Sequence, residues 1–90
     1  MLFALIARDK PGAIETRLAN RAAHLDYVTQ SGVVRQAGPL LNNDEEMIGS
    51  LLILDVEDRA AAESWAAGDP YAKAGLFQDV ELIPWKKVIG

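Results

Sequence analysis

The chain has 90 residues and a mass of 9.8 kDa, half of them hydrophobic and 24% charged, with nine basic against thirteen acidic side chains and a net charge of -4. A chain of this size supports one core and buries about 60% of the surface its unfolded form exposes, so one domain is expected over residues 1–90, and the composition excludes disordered and collagen-like classes. No cysteine is present, which excludes disulfides, thiol nucleophiles and Cys-ligated metal sites and fits a reducing, cytoplasmic setting, while the acidic balance has the wrong sign for holding phosphate backbones, so no nucleic acid partner is expected.

The opening Met1-Leu2-Phe3-Ala4-Leu5-Ile6-Ala7 is apolar. It has no basic flank and stops too soon for a signal-peptide core, and no stretch approaches the roughly 20 apolar residues of a membrane helix. A soluble chain with no membrane partner is expected. The segment from Leu2 to Arg8 instead predicts a strand apolar on both faces, ended by the turn at Pro11-Gly12. From Ala13 to about Ser31, Ile14, Leu18, Leu25 and Val28 recur at helical spacing, and Gly32 supplies the stop. Val33 to Ala37 predicts a second strand, halted by Gly38-Pro39, and Asn42-Asn43-Asp44-Glu45-Glu46 a solvated loop. A third strand is expected over about Ile48 to Val56, again with apolar residues on both faces. Asp58 suits the N-cap of a helix from Arg59 to about Ala67 that ends at Gly68. Asp69-Pro70 suits the start of one further turn through Ala74. The last strand is expected over Val80 to Trp85, with Pro84 restricting it to an edge, a bulge or the strand's end.

Strand, helix, strand, strand, helix, strand is the α+β, ferredoxin-like βαββαβ arrangement, an antiparallel sheet with both helices on one side. Strands apolar on the uncovered side too would expose a contiguous greasy sheet. A homodimer packed sheet to sheet follows as the expectation.

On a helical wheel at about 100° per residue, with Ile14 at zero, Leu18 falls at ~40°, Leu25 at ~20° and Val28 at ~320°. Arg21 falls at ~340°, Arg17 at ~300° and His24 at ~280°, so three basic side chains gather at the edge of the apolar stripe. Arg17 and Arg21 either lay their stems along the core and lift their charges to water or hold an anionic ligand. Arg21, inside the stripe, needs a carboxylate or a ligand there. His24 is the only histidine, so a metal site would rest on carboxylates alone and none is expected. An imidazole is well suited to exchanging protons near neutrality. Asp69 caps a helix with one carboxylate oxygen, and the other is free to orient His24, the role a carboxylate plays beside a catalytic histidine. Gly38-Pro39 and Gly49-Ser50 flank the polar loop as turn chemistry, and Ser50 can also hydrogen-bond a ligand.

Asp9-Lys10-Pro11-Gly12, Arg17, Arg21-Ala22-Ala23-His24-Leu25, Ala37-Gly38-Pro39-Leu40, Gly49-Ser50, Asp69-Pro70-Tyr71, Ala74-Gly75-Leu76-Phe77 and the closing Pro84-Trp85, in that order and spacing, resemble the YciI-like family over nearly the whole chain. The resemblance implies a ferredoxin-like dimer with a paired-sheet α/β barrel and an active pair that maps onto His24 and Asp69. It further implies small enzymes that remove a leaving group from, or isomerise, ring compounds. The function expected from residues and resemblance together is a cofactor-independent acid–base enzyme. In it His24 moves a proton, Asp69 orients it, and Arg17 or Arg21, with Ser50, holds a small anionic or ring substrate. The alternative is a non-catalytic dimeric ligand-binding module whose His and Asp are a buried structural pair. An RNA-binding sheet of this topology needs exposed strand aromatics and positive charge, and the chain supplies neither in quantity.

Overall fold

The computed structural model covers residues 1–90. Its elements are β1 (Leu2–Asp9), α1 (Ile14–Ser31), β2 (Val34–Leu41), β3 (Met47–Asp55), α2 (Arg59–Gly68), α3 (Pro70–Lys73) and β4 (Phe77–Trp85). The strands form one antiparallel sheet in the order β2-β3-β1-β4, so the two strands that are apolar on both faces lie at its centre. The expected α+β, ferredoxin-like arrangement is the observed one.

Period-two alternation decides which side chains meet the helices. Phe3, Leu5 and Ala7 of β1 join Leu52 and Leu54 of β3 under Ala62 and Trp65 of α2 as the buried core, and each large side chain fully buried there contributes about 1.5–3 kcal/mol. The alternate residues, among them Leu2, Ile6, Leu51, Ile53, Ile83 and Trp85, share the other face of the sheet, which no helix covers; Leu51, Ile83 and Trp85 remain exposed on it.

Two boundaries and one local role differ from the sequence expectation. β2 runs through Gly38-Pro39 instead of halting there, with Pro39 opposite Ser50. It is an edge strand, and a proline whose missing N–H would have faced away from the sheet removes no ladder bond. β4 begins at Phe77, three residues earlier than Val80, after a register shift at Arg8/Asp9 that keeps it paired to the end of β1. Gly49-Ser50 is not turn chemistry either, for both residues lie within β3. A Cβ at Gly49 would collide with the Ala7 backbone carbonyl, so glycine is what lets β3 approach β1 closely there, directly beside Ser50.

The largest departure is the face that α1 turns inward. Ile14, Leu18 and Leu25 are exposed, 42%, 56% and 44% respectively, while Arg17 and His24 are the buried residues of the helix. The wheel assumed that apolar side chains mark the inward face. Here α1 is oriented by polar partners that other elements bring to it.

The helix ends behave as their chemistry requires. Gly32 closes α1 in the left-handed conformation at φ 69°, and Asp58 accepts from the Ala61 N–H at 2.8 Å to start α2. Pro70 opens α3, with Asp69 as its cap.

Candidate functional site

Asp9 ends β1 and Arg17 stands on the first turns of α1, so the turn between them brings the two side chains together. Arg17 Nε donates to Asp9 Oδ2 at 2.7 Å and Nη2 to Asp9 Oδ1 at 2.9 Å, a two-pronged pair, and Nη2 also donates to Ser50 Oγ at 2.8 Å. Burial works against the Arg17 charge, but the Asp9 bonds and charge, together with the smaller contribution of Tyr71, outweigh it and hold the guanidinium above its ordinary pKa. Arg17 is therefore a neutralised ion-pair member. Arg21, one turn on, is exposed and has no carboxylate partner. The expectation that Arg21 sits inside a buried apolar stripe, where it would need a carboxylate or a ligand, is thus corrected as to burial: the buried guanidinium is Arg17, because the helix face was misjudged.

Two turns after Arg17, His24 Nδ1 lies 2.7 Å from Asp69 Oδ1, with the side chains 8% and 1% exposed. An ionised carboxylate only accepts, so Nδ1 carries the shared proton and Nε2 is left as the nitrogen without a protein partner. The same Oδ1 accepts the Tyr71 N–H at 3.0 Å, whereas Oδ2 is buried without a partner. The expected division of labour, one oxygen for the cap and one for the imidazole, is replaced by a single oxygen doing both. α3 packs against α1, and the capping oxygen is the one that faces His24.

Tyr71 completes the arrangement and was not singled out from the sequence as a functional residue. Its ring stacks on His24 with centroids 4.0 Å apart and planes 15° from parallel, and the Arg17 guanidinium carbon lies 4.8 Å from its centre. Asp9 was likewise missed. The available signal was the rule that a buried guanidinium needs a carboxylate; no comparable signal marks a stacking tyrosine in a four-residue helix. A partly open cavity of about 190 Å³ is lined by Arg17, Arg21, His24, Ser50 and Tyr71 together with apolar side chains that include Pro39. All the expected site residues except Asp69 line this cavity, and Asp69 touches it through His24.

The chain matches the YCII-related domain over residues 1–86. It belongs to that family. Among YCII-related proteins it is 36% identical to protein YciI of Escherichia coli O6:H1 and 38% identical to an uncharacterised protein of Haemophilus influenzae, each alignment covering 98% of this chain and 99% of the relative. The structure of TftG, 5-chloro-2-hydroxyhydroquinone dehydrochlorinase of Burkholderia phenoliruptrix, in complex with 2,5-dihydroxybenzoquinone, superposes with a TM-score of 0.87 at 36% identity, covering 96% of this chain and 94% of that one. An antibiotic biosynthesis monooxygenase shares the fold alone, with a TM-score of 0.61, 18% identity and coverage of 99% and 100%. No helix of this YCII-related chain is long and apolar enough to cross a membrane.

Both tyrosines give the chain a measurable alkaline signature. Burial raises the Tyr27 phenol, with the Asp69 charge adding to it, and burial raises the Tyr71 phenol despite the opposing Arg17 and Arg21 charges. A pKa higher in the folded than in the unfolded chain stabilises fully below the unfolded value of about 10 and ceases to do so as pH rises through the folded value. Melting temperature should therefore fall above about pH 10, and tyrosinate absorbance should appear at higher pH in the native protein than in denaturant. Coincident midpoints would contradict the burial of these two phenols.

Proposed function

We propose that the chain is a small, cofactor-independent acid–base enzyme that carries out elimination or isomerisation on a small anionic or ring substrate. The observation that carries this reading is the buried His24–Asp69 pair at a cavity that also holds Arg21, a cation without a protein counter-charge. His24 Nε2 takes the substrate proton and Asp69 orients the imidazole and stabilises its charged form. Arg21 holds the anionic group, because Arg17 is already neutralised by Asp9. Ser50 accepts from Arg17 and keeps its own hydroxyl proton to offer the ligand. The scale of the site agrees: an apolar cavity of roughly 150 Å³ accommodates benzene, so about 190 Å³ admits one ring. The 36% identity to a dehydrochlorinase solved with a dihydroxybenzoquinone supports the same reaction class.

The test is a thermal-shift series against 2,5-dihydroxybenzoquinone, chlorinated phenols, lactones and small carboxylates. A ligand at a hundred times its Kd stabilises by about 2.7 kcal/mol, so a clear rise in Tm is expected from at least one of these, followed by turnover that depends on His24. If none shifts the parent and His24→Ala melts far below it, the pair is structural and the chain a non-catalytic module.

The uncovered face of the sheet, carrying exposed Leu51, Ile83 and Trp85 beside Leu2 and Ile6, supports the homodimer, with a second copy as its cover. Light scattering at micromolar concentration should report twice the 9.8 kDa chain mass, with an interface above about 1,000 Å² in total. A monomer that shows no concentration dependence would remove the proposal.

A further inference from the structure

Tyr71 is the one polar side chain of the cavity whose function the pair and the cations leave unexplained. It is 2% exposed and lines the cavity, and its hydroxyl oxygen lies against the Arg17 guanidinium, which can only donate, so the O–H proton is left without an acceptor in the protein. The hydroxyl is not among the sealed, unpaired polar atoms of the chain, and a group entering the cavity it lines is the natural acceptor of that proton. Three contacts fix its position in advance: the stack on His24, the Arg17 guanidinium near its ring, and its backbone N–H on the Asp69 oxygen that also holds the imidazole. Donor groups held in place before the reaction stabilise charge that develops in the transition state more effectively than water does.

We infer that the Tyr71 hydroxyl donates to the carbonyl oxygen of a substrate whose adjacent carbon gives its proton to His24, which makes the substrate class an enolisable carbonyl compound. The inference rests on the base role proposed for His24. His24 Nε2 takes the C–H proton, the electron pair of that bond forms the C=C of an enolate, and the C=O π pair moves onto oxygen. The Tyr71 O–H bonds that oxygen and need not transfer its proton. When the electron pair returns from oxygen, an enolate conjugated to a further C=C takes the imidazolium proton at the far end of that C=C, which is isomerisation, whereas one with a leaving group on the carbon next to the former C–H expels it as an anion while the imidazolium loses its proton to water, which is elimination. One intermediate thus serves both reactions. Burial keeps the phenol protonated well above neutrality, and the neighbouring Arg21 charge, which has no protein counter-charge, favours negative charge on the oxygen the phenol bonds.

The probe is 4-nitrophenolate, a planar oxyanion of enolate shape whose visible absorbance reports both binding and protonation. The parent should bind it, and Tyr71→Phe, which keeps the ring stack, should bind it about tenfold to hundredfold more weakly, the usual effect of a hydrogen bond to a charged group. Should Tyr71→Phe fold poorly, replacing the tyrosines by 3-fluorotyrosine, a stronger donor, should tighten binding at neutral pH instead. A parent that does not bind at millimolar concentration, a Tyr71→Phe protein that binds as tightly as the parent, or fluorotyrosine without effect overturns the inference. Binding also separates it from the reading it rests on. Unchanged binding in Tyr71→Phe with weaker binding in Arg21→Ala removes the Tyr71 role alone, whereas Tyr71-dependent binding with turnover indifferent to His24→Ala removes the base alone.

Discussion

His24→Ala is expected to fold and to turn over substrate roughly 10²- to 10⁴-fold more slowly than the parent, the usual share of one general acid–base group. The fold should survive because Asp69 Oδ1 keeps the Tyr71 N–H after the imidazole is gone, so the carboxylate is not wholly stranded. The same logic makes Asp69→Asn informative: its side-chain carbonyl can still cap α3, but an amide no longer stabilises a charged imidazole. Comparable losses of kcat in both variants, with melting temperatures close to the parent, would show the two residues acting as a unit. A His24→Ala protein with parent-like turnover would end the acid–base assignment.

The second large effect should come from Asp9→Ala, a residue at the end of a strand and outside the cavity lining. Arg17 and Asp9 are 4% and 6% exposed and joined by two hydrogen bonds, so removing the carboxylate leaves a buried guanidinium beside Ser50 and the Tyr71 ring with no counter-charge. Breaking a buried pair on one side costs about 3–5 kcal/mol, which urea denaturation resolves readily. Arg17→Ala should cost a similar amount from the other side. Arg21→Ala is the contrasting case, within about 0.5 kcal/mol of the parent because the side chain is exposed and unpaired. A loss in Asp9→Ala no greater than in Arg21→Ala would show that the pair contributes nothing to the fold.

These contrasting arginines mark where the sequence was legible and where it was not. β1 and β3 are plain from continuous apolar runs, and Gly32, Asp58 and Asp69-Pro70 act at helix ends as their local chemistry dictates. Local chemistry could not reveal the inward face of α1. Hydrophobic periodicity reports what a helix would bury against oil, but α1 buries Arg17 against Asp9 and His24 against Asp69 and Tyr71, partners supplied from eight to forty-seven positions away in the chain. The proline in β2 was misread for a related reason, since only the strand order shows that it lies at an edge. His24 and Asp69 were paired in advance by family resemblance; no spacing rule joins residues 45 apart.

The shared oxygen of Asp69 has a dynamic consequence. A four-residue helix cannot persist alone, since nucleation costs more than so few bonds return, and α3 exists because it is capped by Asp69 and docked on α1. Unravelling of that turn therefore also releases the imidazole. The Tyr71 amide, bonded to the same oxygen as His24, acts as a built-in clock for this opening. Its hydrogen-exchange rate measures how often the turn opens and takes the proton-transfer pair apart with it, and a bound ligand that slows exchange there should do so in proportion to the time it keeps the site assembled.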